Sequence, residues 1–472
     1  MKKRLIEYNI PLADISEESA KEKNIRHGHP STLHIWWARR PLAASRATAF
    51  AALIDDPGPN EPAPEGSKYI TMREYLQDFI KKITPWDAVK DGNSQDIQEA
   101  RNLIHKQFKG APKVLDPFAG GGSIPLEAIR LGCETYASDY NPLAVFIEKA
   151  TLEWPQKFGK LIHLPKKELL DGYLKQEQLP LSENNNDRKV NLLSYLVEKW
   201  ANKIFIEAKN EIGQFYPYES AEGLIGKREI KHYEGWIPVG YLWARTITCQ
   251  NPNCEAQIPL IKQFWLSKKN NKKIAYRPIV NKINKELEFE ILQSEKEIKS
   301  SNFNPDEGTI SRANAKCPVC GQILKANKIR KIAQDGGLGE RMIAVVFHHP
   351  KQFGKRYRLA TKKDKDLFLE SSEFLLDKLS DWPYLESPLP NEEIPLMSGV
   401  FNVPIYGLDQ WQKLFNNRQK LSLITFQEKI KGIEKEIRKN LKEDLPYIEE
   451  MKINIEELSK AILGYLAIIF DR

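Results

Sequence analysis

The chain is short of cysteine, methionine and long apolar runs: its 472 residues contain five cysteines and five methionines. The longest late apolar stretch, AILGYLAIIF at 461–470, falls well short of the roughly twenty residues that cross a bilayer. The N-terminus, MKKRLIEYNIPLADISEE, reaches acidic residues before any apolar core of signal-peptide length. Neither a membrane span nor an export signal is expected, and the expected compartment is the cytoplasm. Five cysteines are too few for a disulfide framework in a chain of this length. Four of them fall in two local pairs, a pattern of intracellular thiols that hold a metal. Neither charge sign dominates: 71 Lys and Arg oppose 63 Asp and Glu, and the net +8 permits a polyanionic partner without requiring one. No internal repeat is visible.

What is present is ordinary globular composition, 41% hydrophobic and 28% charged. Five segments are expected. Residues 1–60 form an N-terminal block in which Pro41 opens a helix with Ala43, Ala47, Phe50 and Ile54 on one face. A loop rich in Pro and Gly, DPGPNEPAPEGSK, leads into 61–165, which is mostly helical to about Lys109 and then alternates strand and helix. Residues 166–247 are a mixed insertion, and 248–325 are bracketed by the cysteine pairs. Residues 326–472 are mainly helical, with a Pro-rich break at 383–404 and an amphipathic stripe of Leu423, Phe426, Ile430, Ile433 and Ile437.

The alternating segment carries the first chemical signal. KVLD at 113–116 is a short buried strand, PFAGGGS a glycine turn, IPLEAIRLG a helix closed by Gly132, and ETYASD a second strand ending at Asp139. A new helix follows, with Asn141 as its cap and Pro142 at its first position. This is the start of a doubly wound, Rossmann-like α/β sheet. Gly120, Gly121 and Gly122 let backbone approach a nucleotide-like ligand, and a carboxylate about twenty residues on can accept from both ribose hydroxyls. The rival is a tight turn with no ligand. Dinucleotide binding is a nearer competitor, but DPFAGGGS lacks the G-x-G-x-x-G spacing.

VLDPFAGGGS resembles the cofactor motif of S-adenosylmethionine-dependent amino-methyltransferases of DNA. That resemblance implies that Asp116, Pro117, Phe118, Ala119 and Gly120 to Gly122 lie against the methionine moiety, with Asp139 on the ribose and Asn141 beside it. Ahead of it, HPSTLHIWWARRPLAASRATAFAAL is similar to the segment that completes the cofactor site in such enzymes. The longer stretch, from IPLADISEESAKEKNIRHGHPSTLHIWW to ATAFAALIDDP, resembles one subfamily: adenine-specific DNA methylases that contain a zinc ribbon and begin with a domain of unknown function. In that setting the Ser31 and Thr32 hydroxyls bind the cofactor carboxylate, and Arg39 or Arg40 pairs with it or with DNA phosphate. Trp36 and Trp37 wall the pocket or pack in a core. His27, His29 and His34 form a metal site or, more simply, bond to backbone.

Cys249 and Cys254 enclose four residues, and Cys317 and Cys320 enclose two. Four thiolates on two turns give closed tetrahedral zinc, a structural ribbon. Cys133 has no partner in sequence and reads as a buried apolar thiol. Between the pairs, Phe264, Trp265 and Tyr276 interleave with Lys268, Lys269, Lys272, Lys273 and Arg277. Cations suit phosphates and exposed aromatics stack on bases, so this insert is a candidate DNA surface; a solvated lysine-rich hairpin is the alternative.

Transfer to an exocyclic adenine amine needs an acceptor for charge on that nitrogen and a face that stacks on the flipped base, a role that the resemblance assigns to an Asp or Asn, two prolines and an aromatic, the Asp-Pro-Pro-Tyr type of motif. DWPY at 381–384 has Trp382 in its second place, and NVPIY at 402–406 inserts Ile405. Neither matches. The expectation is therefore the N-terminal, cofactor-binding half of a DNA adenine methylase of the restriction-modification or phage-defence kind, its catalytic motif on a second polypeptide or lost, and 461–470 lacking a visible partner. The alternatives are a non-catalytic DNA-binding or regulatory protein that kept the fold, and a methylase acting on RNA.

Overall fold

A computed structural model describes residues 3–92, 94–163, 189–220, 223–225, 235–269, 272–397, 401–443, 448 and 451–471. The mixed insertion expected at 166–247 thus lies partly outside the described residues. The chain is mixed α/β and divides into two compact units, 1–204 with 430–472, and 205–429.

In the first unit, helix α1 (Leu12–Glu22) leads to α2 (Leu42–Leu53). The Glu22 carboxylate accepts from the Leu42 and Ala43 N–H groups at 2.9 Å each, so a negative side chain satisfies two of the orphan donors where α2 begins. Ala43, Ala47, Phe50 and Ile54 are all buried, as their spacing requires. Helix α3 (Met72–Ile83) starts with a capping box made by Thr71 and Glu74, and α4 (Gln95–Phe108) ends at Lys109 in the left-handed region. These helices share one core, in which Ala47, Phe50, Leu76, Phe79, Ile104 and Leu131 meet.

Strand β1 (Lys113–Asp116), helix α5 (Ser123–Arg130) and strand β2 (Glu134–Ala137) follow. The strands pair in parallel, from Lys113 opposite Glu134 to Asp116 opposite Ala137, with α5 as the crossover. The expected strands are present but not buried: Leu115 is 67% exposed and Tyr136 48%. Among the described residues this sheet has two strands, so each keeps an open edge. Helix α6 (Pro142–Glu148) is capped by Asn141 and runs through a π-helical turn, Lys149–Glu153, into α7 (Trp154–Phe158).

The stretch 461–470 was expected to lack a partner, and the structure corrects this. It belongs to the helix Ile455–Asp471, whose Ala461, Ile462, Leu466 and Ile468 are buried. Tyr465 donates to the Ala150 carbonyl at 2.5 Å, and Gly464 leaves room for the Trp154 ring. The amphipathic stripe expected from Leu423 to Ile437 holds at Ile433 and Ile437, which are buried, and is corrected at Leu423. A break after Gly432 separates Asn417–Gly432 from Glu434–Glu443 and shifts the phase: Leu421, Ile424 and Thr425 are buried in the first helix and Ile437 in the second, while Leu423 faces out.

The second unit is built on antiparallel sheets. A four-stranded sheet places Gly339–His349 between Gln352–Leu359 and Ile237–Thr248, with Gln257–Pro259 at the edge. A three-stranded sheet joins Glu286–Leu292, Lys272–Asn281 and Trp265–Lys269. A third, small sheet, Ile310–Ser311, Asn314–Lys316 and Ile323–Leu324, carries the second cysteine pair in its last turn.

Candidate functional site

The segment His27–Pro41 packs onto the glycine turn. A Cβ at Gly120 would lie 2.8 Å from Trp36 Nε1, and one at Gly121 would lie 3.0 Å from the guanidinium carbon of Arg39. Gly120 and Gly122 also have φ of +54° and +72°, a region costly for other residues. The glycines thus serve both a left-handed backbone and close approach by an indole and a guanidinium. Trp36 stacks on Trp37, with ring centroids 4.6 Å apart, and Trp37 is 77% exposed.

His29 organises the segment. Its buried ring places Nε2 2.8 Å from Glu22 and Nδ1 2.6 Å from Ser31 Oγ, and the Ser31 N–H donates to the same Nδ1. Thr32 Oγ1 donates to the His29 carbonyl at 2.6 Å. The Ser31 and Thr32 hydroxyls are therefore engaged locally. His34 pairs with Asp471 at 2.9 Å. Of the three histidines in the segment, two have carboxylate partners, and no group of metal-ligand side chains among the described residues includes them.

A buried ion pair fixes this cover to the turn. Arg46 on α2 donates through Nε to Glu127 on α5 at 2.7 Å, both side chains being inaccessible, and its Nη1 reaches the carbonyls of Ile83, Thr84 and Pro85. With Nη1 bonded to these carbonyls, the pair locks α2 and the end of α3 onto the helix that starts in the glycine turn.

Asp139, just past β2, accepts from the Gly120 N–H and the Asn141 N–H at 2.8 Å each. These bonds to Asn141 and Gly120 hold its carboxyl below the ordinary value, so it stays ionised at the mouth of the turn. Asp116 accepts from the Phe118 N–H at 3.2 Å, and Asn141 Oδ1 accepts from Leu143 N–H. Phe118 and Tyr140, which follow the two strands, are 81% and 99% exposed. Pro117 is exposed as well, while Ala119 donates its N–H to the Ser138 carbonyl. Arg40 points to solvent.

Glu148 was not singled out from the sequence. It is 5% exposed, lies against Gly122 from α6, and its Oε1 has no hydrogen-bond partner. Burial, then the charges of Asp139 and Asp116, push its carboxyl up to about 7. A legible signal existed: Glu148 shares the inward stripe Ala144, Ile147, Glu148 and Leu152, where an apolar residue belongs.

The four cysteines of the second unit converge, and the ligand atoms of Cys249, Cys254, Cys317 and Cys320 all lie within 4.8 Å of one another. Cys249 and Cys320 sulfurs are 3.6 Å apart and those of Cys254 and Cys317 are 3.8 Å apart. A tetrahedron with metal–sulfur bonds of about 2.3 Å has an edge of about 3.8 Å, whereas a disulfide would bring sulfurs to about 2 Å. The donor set therefore fits a metal ion. Each pair is followed by a left-handed residue, Glu255 at φ 52° and Gly321 at φ 77°, which turns the chain back around the sulfurs. Cys133 is buried, and its thiol is pushed up to about 11 by burial, as an inert apolar thiol should be.

The basic insert forms a hairpin whose aromatics divide. Phe264 and Tyr276 are core, while Trp265 donates to Asp306 at 3.0 Å. Lys268 also pairs with Asp306 at 2.6 Å, Lys273 with Glu295 at 3.1 Å and Arg277 with Glu290, and Lys272 donates to the Lys355 carbonyl at 2.7 Å. Lys269 is exposed. Exposed pairs of this kind contribute little to stability.

Comparison with known proteins adds one match. The family described as "Protein of unknown function (DUF1156)" matches residues 9–77, a stretch that includes the segment over the glycine turn. Neither a curated protein nor a solved structure matches the chain. No helix among the described residues is long and apolar enough to cross a membrane.

Proposed function

We propose that the chain is the cofactor-binding part of an S-adenosylmethionine-dependent methyltransferase that modifies the exocyclic amine of adenine in DNA, in a restriction-modification or phage-defence setting. The observation that carries this reading is the parallel β1–α5–β2 unit, with its three-glycine turn, an ionised Asp139 at the end of β2 and Asp116 at the end of β1. This is the beginning of a doubly wound sheet, and ligands of such sheets bind at the carboxyl ends of the strands. When bound there, S-adenosylmethionine supplies an activated methyl group. The chain's own residues bind and orient it: Asp139 accepts from the ribose hydroxyls, Arg39 neutralises the carboxylate, and Trp36 walls the site.

The catalytic motif is proposed to lie outside these 472 residues. The Asp-Pro-Pro-Tyr type of sequence does not occur in these 472 residues; the open edges of the two-stranded sheet among the described residues support further strands alongside it, and exposed Leu115 and Tyr136 support a covering layer, because parallel sheets are normally covered on both faces. The cysteine cluster is assigned to structural zinc, since four sulfurs leave no open coordination position. The hairpin carrying Trp265, Lys268, Lys269, Lys272, Lys273 and Arg277 is assigned to the DNA backbone and exposed bases. A regulatory DNA-binding role is the second reading, favoured by the Trp36 and Arg39 cover lying directly on the glycine turn. Calorimetric titration of the full chain with S-adenosylmethionine tests the first reading, which predicts saturable binding that Asp139→Ala abolishes and Cys317→Ser leaves intact.

A further inference from the structure

The glycine turn is flanked by charged groups of opposite sign whose hydrogen-bonding capacity is only partly spent: Arg39 uses Nη2 on the His34 carbonyl at 3.5 Å. On one flank, Arg39 lies against Gly121 with Nε and Nη1 buried and unpartnered. On the other, Glu148 lies against Gly122 with Oε1 buried and unpartnered, and Ser123 Oγ, at the start of α5, is in the same condition. Both Glu148 and Ser123 are more than nine-tenths buried. A buried polar atom left unpaired costs about 1–3 kcal/mol, and more when it is charged, so three such residues around one turn mark a place where a ligand completes the bonding.

The signs of the two charges define the ligand's chemistry. We propose that Glu148 and Arg39 form a subsite for a zwitterionic α-amino-acid group, with the ammonium on Glu148 and the carboxylate on Arg39; this rests on the cofactor reading above and adds Glu148 to it. A purely anionic ligand would satisfy Arg39 but would meet three carboxylates, Asp116, Asp139 and Glu148, around the same turn. A neutral ligand would leave Arg39 unpaired. An amino-acid group offers each of the two side chains a partner of opposite charge.

The subsite has a pH signature. Asp139 at the end of β2 and Asp116 at the end of β1 are the charged groups acting on Glu148, and Thr151 and Leu152 of the π turn lie beside it at Gly122. With its carboxyl pushed up to about 7, Glu148 is largely protonated at pH 6 and largely ionised at pH 8. An ammonium selects the ionised form, so affinity rises with pH across that window and binding releases a proton on the acid side.

The test is calorimetric titration of the full chain, wild type and Glu148→Gln, at pH 6 and pH 8, with three ligands: S-adenosylmethionine, S-adenosylhomocysteine and 5′-methylthioadenosine, which lacks the amino-acid group. The expected result is that the first two bind about tenfold more tightly at pH 8 than at pH 6. Glu148→Gln should weaken both about tenfold or more at pH 8 and remove the pH dependence. Methylthioadenosine should be indifferent to both changes. An unchanged circular dichroism spectrum establishes that the glutamine variant is folded. Pairing to the sulfonium instead of the ammonium would give a pH effect with S-adenosylmethionine alone, and would overturn the assignment. Binding of all three ligands without dependence on pH or Glu148 would overturn the subsite and leave the cofactor reading standing. Failure of all three to bind would overturn the cofactor reading, and the subsite with it.

Discussion

Arg46 and Glu127 face each other at 2.7 Å with neither side chain accessible to solvent. They tie the N-terminal block to the helix that leaves the glycine turn, so the cover formed by Trp36 and Arg39 is held on the turn by the fold itself. Removing one partner strands a buried charge. Arg46→Ala should destabilise the protein by about 3–5 kcal/mol in chemical denaturation, whereas Arg46→Met combined with Glu127→Leu should recover most of that loss. Equal destabilisation by the single and double variants would show that packing, and not charge, holds the two helices together.

The close approach at the turn makes its own prediction. Gly121→Ala puts a methyl 3.0 Å from the Arg39 guanidinium, a flexible group that can shift, while Gly120→Ala adds both a clash with the Trp36 indole and an unfavourable φ of +54°. Thermal melts should rank Gly120→Ala well below Gly121→Ala. The reverse order would mean that Trp36 moves more freely than the packing implies.

Glu148 also links stability to pH. Its folded carboxyl is raised to about 7, above the ordinary value of 4.5, so the stability associated with its proton is present below pH 4.5 and is lost as pH rises through 7. Glutamine carries no such loss. Glu148→Gln should therefore melt higher than wild type at pH 8, and the gap should narrow as pH falls toward 5. A gap that widens at low pH would contradict the protonated assignment.

The cysteine cluster predicts one zinc per chain by elemental analysis, lost in Cys317→Ser or on treatment with a strong chelator. Because Cys249, Cys254 and Cys317 lie in a core with Ile247, Ile258, Ala315 and Leu324, metal loss should lower the melting temperature of the second unit. Full retention of stability without metal would make the site incidental. For the hairpin, Lys269→Ala with Lys272→Ala should weaken DNA binding without sequence preference and reduce the magnitude of the salt slope by about 2. An unchanged slope would place the DNA surface elsewhere.

Much of the site was legible because its signals are local. The glycine triplet, Asp139 and the Asn141–Pro142 cap lie within one βαβα stretch, and the structure keeps them there. The cysteine pairs were legible for the same reason, since each knuckle is a short turn. What sequence could not supply was long-range. Whether Leu115 is buried depends on strands that lie beside β1, and the partner of 461–470 turned out to be Trp154 and Ala150, some three hundred residues earlier. Ser31 and Thr32 looked like ligand hydroxyls, yet His29 engages Ser31 and the His29 carbonyl engages Thr32. Glu148 was hidden by its setting: a carboxylate in an apolar stripe stands out only once Gly122 is seen beneath it.

The central claim is that these residues hold the methyl donor for a DNA adenine methyltransferase whose catalytic motif lies outside them. It is tested most directly by following labelled methyl groups from S-adenosylmethionine to DNA, with the chain alone and then with the product of the adjacent downstream reading frame. The account predicts no transfer by the chain alone and transfer to adenine in the mixture, abolished by Asp139→Ala. Transfer by the chain alone would contradict the placement of that motif, and no transfer in the mixture would contradict the methyltransferase reading.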